Sequence, residues 1–177
     1  MREGAHEVKE LSPLFRQHPW LIDQSWKDVD FEKTFTALLK EQFPEDEERP
    51  EVDRRLDILA FRPSGYASVV ELKHPKKTLT REDLDQVTHY VDWLRSRVKG
   101  TGTDSPKGVR GLLLVGSLGN KADVLTAMER LAASDIRVEI YADLKKRAEE
   151  YYGEAEQRLK EIAPEYVKRR NTRRKDG

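Results

Sequence analysis

The chain has 177 residues with 33 Lys and Arg against 33 Asp and Glu, so its formal net charge is zero and no global positive field draws it toward nucleic acid. It has no cysteine, which excludes a disulfide framework and thiol catalysis and agrees with a reducing, cytoplasmic setting. No apolar run approaches the roughly 20 residues of a membrane helix, and the charged N-terminus does not read as a signal sequence.

The opening residues predict a helical region that ends near Pro19, because the residue before a proline is disfavoured in helical conformation. Within it, Pro13 is expected to kink or restart the helix. Trp20, Leu21, Ile22 and Trp26 follow as a short apolar cluster, and Phe31, Phe35, Leu38 and Leu39 mark a second helix closed off before Pro44. Glu45 to Asp53 is an acidic loop. Arg55 to Lys73 reads as a β-hairpin turning at Pro63-Ser64-Gly65. Thr80 then caps a helix whose buried stripe is Leu84, Val87, Val91 and Leu94. Lys99 to Lys107 is a loop, and Val109 to Val115 is a continuous apolar run suited to a buried parallel strand. The glycines of Gly116-Ser-Leu-Gly119 lack the Lys-Ser/Thr ending of a phosphate-binding loop. A helix from Asp123 to Ala133 and a strand from Ile136 to Tyr141 complete an α/β fold, a mixed sheet flanked by helices. Residues 1–142 form one domain on this reading. Residues 143–177 add a long helix, with Leu144, Ala148, Tyr151, Ala155, Leu159 and Ile162 on one stripe, and a basic tail of six Lys and Arg between Lys168 and Lys175.

The hairpin carries the chemistry. With its loop centred on Ser64, Phe61 faces Ala67, Leu59 faces Val69, and Asp57 lies opposite Glu71. Facing residues have Cβ atoms about 5 Å apart, so two carboxylates there need a cation or a shared proton. Strand alternation puts Lys73 on the same face as Glu71, with Leu72 on the other. Glu-x-Lys is common in a chain that is 37% charged, and Glu7-Val8-Lys9 repeats it outside any strand. What distinguishes the second occurrence is its apolar setting, in which charges are costly unless paired or bound to metal. From the hairpin alone, a metal site and a structural cluster pairing Asp57 with Arg55 and Glu71 with Lys73 account for the charges equally well. His74 and His89 have no partner at ligand spacing, so an oxygen-rich site for magnesium or manganese fits better than zinc.

Gln86 and Tyr90, one helical turn apart after Lys73, extend the pattern. Asp57, Glu71-Leu-Lys73 and Gln86-x-x-x-Tyr90 together resemble the PD-(D/E)XK nuclease superfamily, whose acidic residue, Glu-x-Lys strand and Gln-x-x-x-Tyr helix come in this order. Leu56 stands where that superfamily often has Pro. More narrowly, Phe15-Arg-Gln-His-Pro-Trp-Leu-Ile22, Arg55-Leu-Asp-Ile-Leu59 and Val70-Glu-Leu-Lys-His-Pro75 resemble the nuclease domain of Shedu-type anti-phage defence proteins, over roughly the first two-thirds of the chain.

The resemblance implies a restriction-endonuclease-like core and a Mg2+-dependent DNA endonuclease, with Mn2+ able to substitute. Asp57, Glu71, the backbone carbonyl of Leu72 and a first-helix glutamate would hold the metal; Glu10 fits that last position, with Glu7 and Glu32 as competitors. Lys73 would orient or deprotonate the attacking water, and Gln86 and Tyr90 would position the substrate backbone or support Lys73. The alternatives are a non-catalytic interaction domain of a larger ATP-driven or signalling system and an RNA nuclease. The expected partners are DNA, further domains or subunits, and a second copy through the C-terminal helix, with no membrane. If the tail grips phosphates, truncation after Pro164 will weaken DNA binding across all sequences and flatten its salt dependence by close to one unit of slope per lost contact. Binding titrations at several salt concentrations measure this.

Overall fold

The computed structural model describes residues 4–26, 28–32, 34, 37, 56–61, 65–97 and 107–162. Phe35, Leu38 and Leu39 of the second predicted helix, the acidic loop, Pro63 and Ser64 of the hairpin turn, and the basic tail lie outside these residues. The chain divides into two compact units, Met1–Tyr141 and Ala142–Gly177.

The first unit is built on a five-stranded mixed sheet with strands in the order β1 to β5. These are β1 (Asp28–Phe31), β2 (Ile58–Phe61), β3 (Tyr66–Leu72), β4 (Gly108–Val115) and β5 (Ile136–Ile140). β2 runs antiparallel to both β1 and β3, while β3, β4 and β5 are mutually parallel. The parallel strands are joined by α2 (Arg81–Arg97) and α3 (Ala122–Ala132), as βαβ crossovers require. This is the α/β, mixed-sheet architecture that the alternation of periods predicts. The hairpin register is also the expected one, with Leu59 opposite Val69 and Phe61 opposite Ala67.

Strand alternation sends Leu59, Ala67, Val69, Val109, Leu113 and Val115 to one face, where they pack with the apolar stripe of α2 and with Val124 and Ala127 of α3. Leu84, Val87, Val91 and Leu94 are all buried, each burial stabilising by about 2 kcal/mol. On the other face, Ile22, Asp23 and Trp26 line a small cavity together with Ser68, Arg110 and Leu112. The sheet is therefore covered on both sides, which is why β3 and β4 are apolar at nearly every position.

Three boundaries differ from the sequence expectation. α1 (Gly4–Gln17) runs through Pro13 instead of restarting there, with Ser12 and Phe15 buried around the missing hydrogen bond; packing overrides propensity. Phe31 ends β1 instead of opening a helix. A four-residue strand is too short to show a period; Phe35, Leu38 and Leu39 lie outside the described residues. Tyr141 begins α4 (Tyr141–Ile162) instead of ending β5. In α4 the expected apolar stripe is covered only at Leu144 and in part at Ala148, whereas Tyr151 and Ala155 are exposed. The side chains of Leu159 and Ile162 are outside the described residues. No described helix is long and apolar enough to cross a membrane.

The segment after β3 is held tightly to the turn after β4. Gly116 N–H and Ser117 N–H both donate to the Lys77 carbonyl, at 3.0 and 3.2 Å, and Leu79 N–H donates to Ser117 O at 2.8 Å. A Cβ on Gly116 would overlap the Pro75 carbonyl oxygen, so this position requires glycine for close backbone approach. Gly153, within α4, faces open space. Gly116→Ala is expected to destabilise by about 1–3 kcal/mol. Gly153→Ala should instead stabilise its helix by about 1 kcal/mol. Urea unfolding of the first and helicity by circular dichroism of the second check the pair.

Candidate active site

The charged residues singled out in the sequence converge where β2 and β3 meet. Asp57 precedes β2 by one residue and lies beyond the last ladder pair, Ile58 with Val70. It does not complete a backbone pair with Glu71. Instead its carboxylate Oδ2 accepts the Leu72 N–H at 2.7 Å, and its backbone oxygen accepts the Glu32 N–H at 2.9 Å. The acidic side chain thus takes over the ladder at the point where the strands part.

Glu71 is only 5% exposed, on the same sheet face as Val69 and Leu113. Its Oε1 receives two hydrogen bonds, from Lys73 Nζ and from Gln86 Nε2, each at 2.7 Å. Its Oε2 is buried and has no hydrogen-bond partner among the described residues. Lys73 Nζ also donates to Gln86 Oε1 at 2.7 Å, and Gln86 Nε2 is 2.7 Å from Tyr90 Oη. One turn of α2 therefore presents an amide that bonds both members of the Glu71–Lys73 pair, with the buried phenol of Tyr90 behind it. Their i, i+4 spacing is what allows Tyr90 to brace Gln86.

The electrostatics follow from this geometry. Burial, then the charge of Asp57, pushes the Glu71 carboxyl up to about 7 against the opposing effect of Lys73. Burial alone would lower the Lys73 ammonium. The charge and hydrogen bond of Glu71, and the charges of Asp83 and Asp57, outweigh it and raise Lys73 above its ordinary value.

Two residues that sequence reasoning missed belong to this cluster. Asp83 is 2% exposed, with Oδ1 3.6 Å from Lys73 Nζ and 2.5 Å from Lys77 Nζ. Its Oδ2 accepts from Thr80 N–H at 3.0 Å and from Thr80 Oγ1 at 2.7 Å, closing a reciprocal cap on α2. Burial pushes Asp83 up, yet the bonds from Lys77 and Thr80 and the charges of Lys77 and Lys73 hold it below the ordinary value. The cap was legible in Thr80-x-x-Asp83; the buried lysine contacts were not. Tyr141 is the second, donating its hydroxyl to the Lys73 carbonyl at 2.7 Å across 68 residues. Nothing in its spacing marks it.

Glu10 lies in α1, but its side chain is outside the described residues, as is that of Glu7. The Glu32 carboxylate is 3.9 Å from the Arg16 guanidinium. His74 Nδ1 accepts the Lys76 N–H at 3.0 Å, which gives it a local turn-forming role, and His89 meets Tyr90 edge-on. No group of three or more His, Asp or Glu side chains able to hold a metal occurs among the described residues. Two carboxylates are nonetheless a fitting set for magnesium, which keeps several waters and binds through one or two protein carboxylates. The orphaned Glu71 Oε2 beside a second carboxylate is the kind of unsatisfied buried acceptor that a hard cation satisfies.

No family model matches the chain, and no curated protein matches it. Among solved structures, EndoMS in a complex with double-stranded DNA is similar at 20% identity and a TM-score of 0.50, covering 76% of this chain and 44% of that one. A repair endonuclease from Pyrococcus abyssi has 20% identity and a TM-score of 0.44, with 79% and 49% covered. EndoMS in its apo form has 19% identity and a TM-score of 0.48, with 79% and 48% covered. The chain spans less than half the length of each of these neighbours, and the likeness to the EndoMS complex is one of fold.

The raised Glu71 value sets a pH dependence for the metal-free protein. Below about pH 4.5 the carboxyl is protonated folded or unfolded; from there to about 7 only the folded chain keeps the proton, so stability falls as pH rises through that window. Glu71→Gln removes this titration. Melting curves in chelator from pH 5 to 8 should show the Tm of Glu71→Gln, relative to the parent, rising up to about pH 7 and levelling off above it.

Proposed function

We propose that this chain is a metal-dependent nuclease that hydrolyses phosphodiester bonds in DNA. The observation that carries the reading is the buried carboxylate of Glu71, with one oxygen bonded by Lys73 and Gln86 and the other unsatisfied in the field of Asp57. Asp57 and Glu71 would hold magnesium or manganese. The carbonyl of Leu72 would join them, since a strand residue directs its N–H and C=O to the same neighbour and the Leu72 N–H meets Asp57. When bound, the ion would supply the charge that polarises the scissile phosphate and acidifies a water.

The remaining work falls to the protein. Lys73, held above the ordinary lysine value by Glu71, Asp83 and Asp57 in the metal-free protein, is placed to orient or deprotonate the nucleophile and to offset negative charge on the phosphoryl oxygens. Gln86 holds the Glu71 oxygen and the Lys73 ammonium at one distance from each other, and Tyr90 holds Gln86. DNA as the substrate is supported by the fold shared with EndoMS, which is bound to double-stranded DNA in one of the neighbours. The narrower assignment to anti-phage defence of the Shedu type rests on the phrases ending at Ile22, Leu59 and Pro75.

Plasmid, linear duplex, single-stranded DNA and RNA, each incubated with magnesium, manganese or EDTA, provide the test. Cleavage of DNA that stops in EDTA is expected, with Asp57→Asn and Glu71→Gln, purified alongside, slower by at least about 100-fold. Lys73→Met should lose cleavage to a similar degree while binding Mn2+ at least as tightly as the parent by calorimetry, because a competing cation is gone. Cleavage of RNA alone would replace the substrate. Activity that survives in both carboxylate variants would remove the site.

A further inference from the structure

Lys73 is held at more points than a catalytic ammonium requires. Its N–H donates to Leu114 O at 2.9 Å, fixing the residue to β4. Its ammonium bonds Glu71 and Gln86. Its carbonyl accepts the hydroxyl of Tyr141 at 2.7 Å. β3 ends at Leu72, so the Lys73 carbonyl is the first backbone carbonyl past the strand, and the side chain of the residue that directly follows β5 supplies its bond. The phenol that does so is not remote from the chemistry. Burial, then the charges of Asp57 and Glu71, pushes its ionisation far above the ordinary tyrosine range, which places it within electrostatic reach of both carboxylates and keeps it a neutral donor.

We propose that Tyr141 is a positioning residue for Lys73, clamping the backbone where β3 leaves the sheet so that the ammonium stays over Glu71 and Gln86. The clamp works because the Lys73 side chain is long. Its Cα must be fixed if the ammonium is to sit at hydrogen-bond distance from two acceptors, and β4 constrains only the peptide on the N-terminal side. Tyr141 constrains the peptide on the C-terminal side, before the chain continues through His74 and Pro75. Removing the hydroxyl alone leaves the ring in place and frees that carbonyl. The ammonium should then sample positions away from the Glu71–Gln86 pair.

This inference rests on the nuclease reading, and the experiment separates the two. Tyr141→Phe in the full chain is compared with the parent and with Glu71→Gln. At saturating metal, kcat for plasmid cleavage should fall about tenfold while KM changes less than about twofold, because geometry and not affinity is lost. Hydrogen exchange without DNA should show the Lys73 amide exchanging faster, with amides of Leu113 and Val138 unchanged. Loss of protection across β4 and β5, or a fall in kcat matched by a general loss of stability, would reduce Tyr141 to a packing residue and overturn the proposal. Unchanged kcat in Tyr141→Phe would overturn it while leaving the nuclease reading intact. A parent no more active than Glu71→Gln would overturn the nuclease reading, and the positioning role would fall with it.

Discussion

The structure is organised around one cost: a carboxylate, Glu71, buried in the sheet with another carboxylate close by. In so apolar a setting the charged form is disfavoured twice, by desolvation and by Asp57. Lys73 offsets part of this, and it is itself half-buried, its ammonium favoured by three carboxylates. Such a set is stable only when each group finds hydrogen bonds, since one partner removed from a buried pair leaves an uncompensated charge. The neighbouring elements supply those bonds.

α2 contributes Gln86, and its register over β3 is set by the stripe from Leu84 to Leu94. Its N-terminus adds Asp83, which serves as both helix cap and second counter-charge to Lys73. At its other end Arg95 bonds the carbonyls of Val109 and Ser134, at 3.0 and 2.6 Å, tying the helix to β4 and to the turn before β5. A side chain one turn out of place in α2 would leave Glu71 Oε1 with one donor instead of two. The core therefore has a specific task besides holding the fold: it positions an amide to within hydrogen-bond distance of an ion pair.

Loop geometry follows the same logic. The chain leaving Lys73 passes under Gly116, where only a glycine leaves room, and returns through Lys77 to Asp83. The loop after β3, the turn after β4 and the start of α2 are thereby locked together. One carboxylate oxygen, Glu71 Oε2, stays without a hydrogen-bond donor among the described residues, and it belongs to the residue with the strongest reason to take a cation. That open atom is the observation on which the proposed metal site rests, and it is what the proposal adds to the two readings the hairpin alone left open.

Much of this was determined by local pattern. The register pairing Leu59 with Val69, the cap at Thr80, the stripe of α2 and the buried strand β4 all depend on neighbours in sequence or on a period, so they were legible before any coordinates. The strand period puts Glu71 and Lys73 on one face and the helical period puts Gln86 and Tyr90 one turn apart, while the meeting of the two pairs was implied by the resemblance to PD-(D/E)XK nucleases. Tertiary structure decided the rest. Asp57 bonds a backbone N–H instead of pairing across the ladder, because the strands diverge there. Asp83 is drawn into the lysine cluster by the path of the loop before it, and Tyr141 reaches Lys73 from 68 residues away. β1 escaped notice since four residues carry no period. These are contacts between distant segments, whose energies depend on where the sheet brings the chain together, and no one-dimensional pattern records that.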